Sequence, residues 1–365
     1  MWTCSSSIPP EQEHLIRSDS RSGAWRSGIG RLLNSAVVRH VAGDAPLDEA
    51  LEEVVLGAPR RYTRLELSER AGLDPDEGKR LWRSLGFAEV SDDAVVFNDR
   101  DIAAVRLMSS LSDAGVLEPG VREAVARAVA QSMSRLAEWQ VGMLRRLIEA
   151  EGEDLTPQQS LQVAASVLPA LEELQTYVWR RHLASTVRRL LVAGGGEDGD
   201  DDTENLVVGF ADMVGFTRTT RRRSTAELSE MIERFGSCTT EVIADGRGRI
   251  IKTVGDEVLF VTDDVADGAA IALALQDKVR VEPVLPELRI GLAAGPVLVR
   301  YGDVYGEVVN IAARLTSHAR PDSVLVDREV ADALADDPRF AVRPLRQLAV
   351  RGYRHLQPWL LDRSR

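Results

Sequence analysis

The stretch GGGEDGDDDTEN at 194–205 contains no apolar side chain. Such a segment cannot enter a hydrophobic core, and its like charges repel, so it reads as an extended linker that divides the chain into two separately folding parts. The hydrophobic period changes across it. Upstream, from Leu32 to Val192, apolar residues recur at helical spacing. Val125, Val129, Leu136, Met143 and Leu147 line one stripe of 121–149, with Arg and Glu between them. Thr156 followed by Pro157 forms an N-cap with a first-turn proline. Pro169 is expected to end or kink that helix near Leu168, and a further helix is expected from about 170 to 192, stopping at Gly194–Gly196. Downstream, strand-length apolar runs at 206–210, 249–254, 257–261, 288–294 and 323–326 alternate with helical stretches. One of these, 225–244, follows a capping box made by Ser224 and Glu227. The expected layout is a flexible arm over 1–30, an all-α domain over 31–193, a linker over 194–204 and an α/β sandwich domain over 205–365.

A length of 365 residues suits two domains. The net charge of -12 opposes binding to nucleic acid through phosphate neutralisation. No apolar run approaches the roughly 20 residues of a membrane span, and the first residues lack a signal-peptide pattern. The two cysteines, Cys4 and Cys238, have no metal-type spacing. A cytoplasmic location follows as an expectation.

Three short stretches of the second part carry chemistry: LVVGFADMVGFT at 206–217, IIKTVGDEVLF at 250–260 and YGDVYGEVVNIAARL at 301–315. Asp212 and Asp256 each terminate an apolar run, and Gly255-Asp256 lies between two runs as in a hairpin. Two carboxylates at adjacent strand ends can hold divalent cations that polarise a phosphate. Either one alone is more readily a turn residue. Lys252 is a charge inside a strand of Ile, Thr and Val. It either snorkels to water or donates to a buried acceptor. Asn310 and Arg314 stand at i and i+4 and share one helix face.

Taken together, these stretches resemble the class III adenylate cyclases over about 205–365. The resemblance implies an α+β sandwich of ferredoxin-like type. It implies that Asp212 and Asp256 hold two Mg2+ or Mn2+ ions, and that the backbone amides from Met213 to Phe216 cradle phosphates. Lys252 and Asp303 would read adenine, since lysine donates to a ring nitrogen and aspartate accepts from the exocyclic amine, a pattern guanine reverses. Asn310 would position the ribose, and Arg314 would stabilise charge at the α-phosphate. Arg300 and Arg351 are further candidates for the β- and γ-phosphates. The substrate implied is ATP. In this family the carboxylates and the Lys/Asp and Asn/Arg groups of one site come from different protomers, which implies a homodimer with shared sites.

The stretch YTRLELSERAGLDPDEGKRLWRSLGF at 62–87 has the pattern of a helix-turn-helix, with Leu65, Leu67, Ala71, Leu73, Leu81 and Leu85 as its expected core and Gly72 in the turn. Its second helix begins Asp74-Pro75-Asp76-Glu77, acids that suit a helix N-terminus and repel DNA. The first half, with the helix YVWRRHLASTVRRLL, resembles the autoinhibitory helical domain of actinobacterial pH-sensing adenylate cyclases. That resemblance makes His182 a candidate sensor, because an imidazole changes charge near neutral pH, although a solvated helix histidine is the plainer reading. Three functions remain open: an adenylate cyclase, a silent cyclase-like sensor or helix-turn-helix-linked regulator, and a guanylate cyclase. The GG[DE]EF loop of diguanylate cyclases is absent.

Overall fold

The computed structural model describes residues 47–117, 120–151, 156–192, 203–221, 223–350 and 353–364. The expected arm over 1–30, most of the expected linker, and Arg351 lie outside the described residues. The chain divides into two compact units, 1–195 and 196–365.

The first unit is helical: α1 (Leu47–Leu56), α2 (Arg64–Ala71), α3 (Pro75–Ser84), α4 (Asp99–Asp113), α5 (Arg122–Glu151) and α6 (Pro157–Val192). Helices α2 and α3 form the expected helix-turn-helix. Thr63 and Glu66 make a capping box at α2, which ends at Gly72 in a left-handed conformation. Asp74 caps α3 by accepting from the Asp76 and Glu77 amides. The expected core is corrected in part. Leu67 and Leu81 are buried, but Leu65 is 48% exposed. Phe97 takes the central place, with the Trp82 ring edge-on to it at 4.9 Å. Phe97 arrives from beyond the motif through an antiparallel bridge to Tyr62, a non-local contact that periodicity within 62–87 does not encode. Pro169 does not end the helix, and no separate helix starts at about 170: α6 runs as one helix with the proline inside it. A proline removes a single ladder rung, and the good helix formers on both sides carry the helix through.

The second unit is a mixed sheet with helices on both faces. Its strands are β1 (Thr203–Met213), β2 (Arg249–Val254), β3 (Glu257–Thr262), β4 (Leu288–Arg300), β5 (Asp303–Tyr305), β6 (Ser323–Val326), β7 (Phe340–Pro344), β8 (Leu348–Val350), β9 (Tyr353–Leu356) and β10 (Trp359–Arg363). The order is β2-β3-β1-β4-β6-β10-β7, with β5 on β4; β8 and β9 form a separate ribbon. β1 begins at Thr203, so the last two residues of the expected linker belong to the sheet. The helices are α7 (Phe216–Thr219), α8 (Thr225–Asp245), α9 (Val265–Arg280), α10 (Glu307–His318) and α11 (Arg328–Ala333).

Alternation along β1 sorts the two faces. Val207, Ala211 and Met213 join Met231 and Phe235 of α8 and Ile271 and Leu275 of α9 in the larger core. Leu206, Val208 and Phe210 pack instead with Val308 and Ala312 of α10. Gly291 admits α10 closely: a Cβ there would stand 2.5 Å from the Ala312 carbonyl oxygen. No helix among the described residues is long and apolar enough to cross a membrane.

Candidate active site

Asp212 closes β1, in register with Glu257 of β3 and Arg289 of β4. Even-numbered like Phe210, it falls on the α10 side of the sheet. Asp256 lies in the turn between β2 and β3, where its carbonyl accepts from the Met213 amide at 3.1 Å. The hairpin therefore delivers Asp256 to the end of β1, and the two carboxylates meet. Burial raises the Asp256 carboxyl above its ordinary range, and the negative Asp212 raises it further. Glu257 is likewise raised, first by burial and then by Asp212 and Asp256. Arg289 offsets this crowding: its guanidinium donates to the Asp212 carboxylate. Its Nε is buried without a hydrogen-bond partner.

Crowded hard-oxygen donors fit a divalent cation better than they fit one another. Among the described residues no cluster of three or more His, Cys, Asp or Glu forms a metal-type set.

Lys252 and Asp303 come together. Lys252 Nζ donates to Asp303 Oδ2 at 2.5 Å, joining β2 to β5. In the sheet order β3, β1 and β4 lie between these strands. The β4–β5 hairpin therefore reaches back across the sheet, and it does so beyond Gly295, whose φ of +147° lies in the region open to glycine.

Asn310 and Arg314 both ride on α10. The buried stripe of that helix is Val308, Ala312, Leu315 and Thr316. By helical spacing Asn310 and Arg314 fall together on the face away from this stripe, Asn310 exposed and Arg314 half-buried. Arg300 is exposed, with its guanidinium 5.3 Å from the Tyr301 ring centre. Phe216 opens α7 and packs against the larger core. His182 is exposed on α6.

The expected phosphate cradle needs one correction. The Met213 amide donates to Asp256 and the Val214 amide donates to Glu287 O at 2.9 Å, so both are already occupied. Gly215 and Phe216 remain. Sequence reasoning missed Arg289, although the signal was the same as for Lys252: a charge at the start of the otherwise apolar strand LRIGL.

Residues 200–363 match the Adenylate and Guanylate cyclase catalytic domain family. An adenylate cyclase of Streptomyces coelicolor is 39% identical over 88% of this chain and 91% of its own length. An adenylate cyclase of Streptomyces griseus is 37% identical over 88% of this chain and 90% of its own length. A protein of Mycobacterium tuberculosis named pH-sensitive adenylate cyclase is 32% identical over 75% of this chain and 70% of its own length. The chain belongs to the class III cyclase family and is an enzyme of that family. The similarity to the two Streptomyces adenylate cyclases extends through the helical unit as well as the catalytic one.

Proposed function

We propose that two copies of this chain build two shared sites, each converting ATP to 3′,5′-cyclic AMP and pyrophosphate. The carrying observation is the outward setting of Asn310 on α10, opposite the stripe that binds its own sheet, while Asp212 and Asp256 meet at that sheet's end. Asp212 and Asp256 would hold two Mg2+ or Mn2+ ions, which when bound polarise the α-phosphate, favour ionisation of the ribose 3′-hydroxyl and neutralise the departing pyrophosphate. Lys252 donates to adenine N1 and Asp303 accepts from the exocyclic amine. Asn310 orients the ribose. Arg314 donates to the α-phosphate as charge accumulates there. Arg289, with an unsatisfied Nε beside Asp212, is placed to turn toward phosphate once a cation takes its share of the carboxylate. Arg300 and the Gly215 and Phe216 amides contribute further donors.

The test is complementation. Asp212→Ala and Arg314→Ala should each be inactive alone. In an equal mixture with free subunit exchange, half of the pairs are mixed and one of their two sites is intact, so about a quarter of native activity returns. Persistent inactivity with proven exchange rejects the shared site.

Control by the helical unit, with pH as the signal, belongs to the same reading. It is favoured by the full-length similarity to the Streptomyces adenylate cyclases and by the name of the mycobacterial relative.

A further inference from the structure

Asp327 is a buried carboxylate that the chemistry above does not use; it is 3% exposed. Its position follows from how β6 leaves the sheet. β6 runs parallel to β4 with Val326 beside Leu292, and the Asp327 amide continues that ladder to the Leu292 carbonyl at 3.1 Å. The main chain then turns into α11. At the next rung the side chain replaces it: Oδ2 accepts from the Ala294 amide at 3.1 Å, while Oδ1 caps α11 by accepting from the Val330 amide at 2.9 Å. Farther along, β4 is paired with β5 from Leu298 to Arg300. The Asp327 carboxylate thus fills the gap between β6 and β5 along β4.

That gap is where the arm bends. Ala294 immediately precedes Gly295, with its φ of +147°, and a Cβ on Gly295 would stand 3.0 Å from Val308 of α10. Beyond the bend lies Asp303, which must cross the sheet to reach Lys252. We propose that Asp327 is a positioning residue: by holding Ala294 it sets the root of the β4–β5 arm and so the place of Asp303 against the nucleotide base. The proposal rests on the reading of Asp303 as a base-reading group.

Burial, helped by the neighbouring Glu329, raises the Asp327 carboxyl to about 7 against the two amide hydrogen bonds. Glu329, on α11, is the charged group acting on it; 290–299 of β4 and 323–326 of β6 carry no titratable side chain. Protonation with donation to Glu329 takes one oxygen away from the amides.

The experiment measures KM, kcat and ATP-over-GTP preference of the full-length enzyme from about pH 6 to about pH 8. Asp327→Ser can still cap Val330 but is too short to reach Ala294. It is expected to raise the KM for ATP about fivefold and weaken the preference for ATP, with kcat within about twofold. Asp327→Asn should flatten any change of KM with pH near neutrality. Glu329→Gln, which keeps Asp327 and its hydrogen bonds, should move that change to lower pH. Native KM and preference in both Asp327 variants overturn the proposal, as does an unmoved KM profile in Glu329→Gln. So does a fall in kcat that merely tracks a lower melting temperature. Asp303→Ala separates the premises. If it leaves ATP preference intact, the base-reading role fails; if it abolishes preference while Asp327→Ser does not, only the positioning role fails.

Discussion

Asp212 serves two neighbours at once, a carboxylate that repels it and a guanidinium that holds it. Asp212→Ala or Asp256→Ala is therefore expected to remove nearly all turnover with Mg2+ or Mn2+, because the surviving carboxylate alone is a poor cation site. Near-native rates in either variant would show that the pair is structural. Arg314 should behave as a group that acts on developing charge. Its alanine variant should lose about 10²–10³-fold in kcat with little change in KM, read by steady-state kinetics. Lys252→Glu combined with Asp303→Cys should lower kcat/KM for ATP by about tenfold or more, since the adenine edge loses both partners. Asp327 carries a pH signature of its own. Its folded-state value near 7 exceeds the ordinary 3.8, so between these values the folded chain holds a proton that the unfolded chain has released. Its contribution to stability is full below the ordinary value, falls as pH rises through this window, and levels off above about 7. Melting temperature against pH should show that descent in the native chain, and Asp327→Asn should lack it.

The strands that carry chemistry were legible because each is a short apolar run that ends at, or contains, charged residues. The expected runs at 249–254 and 323–326 coincide with β2 and β6. β1 and β4 extend beyond their runs, since pairing with each other carries them past the residues whose apolarity announced them. Helix α8 starts at the capping box its sequence announces. Ser224→Ala should cost about 1 kcal/mol of stability by denaturant unfolding, as loss of an N-cap does. What sequence did not show is non-local. Phe97 enters the helix-turn-helix core from outside the motif, Arg289 acquires meaning only beside Asp212, and the occupied Met213 and Val214 amides depend on where the Asp256 turn and Glu287 lie. Pro169 shows the reverse case, a helix stop that the residues on both sides of it carry through.

Across the whole chain the two units differ in how their faces are satisfied. The catalytic unit buries both faces of its sheet, whereas the last turns of α6 leave Leu174, Tyr177, Trp179, Leu183 and Leu191 exposed. If the helical unit controls activity, the isolated catalytic unit from Thr203 onward should have a flatter pH–activity profile than the full chain, and His182→Ala should shift the full-length profile. Identical profiles for the two lengths would remove proton control by the first unit. If two copies share each site as proposed, output counts pairs rather than chains. Below the dissociation constant of the pair, the rate rises with the square of protein concentration; above it, the rate becomes linear. Doubling the protein made by a cell in the lower regime would then raise cyclic nucleotide production about fourfold. Expression level would act as an input to the signal, with no effector required.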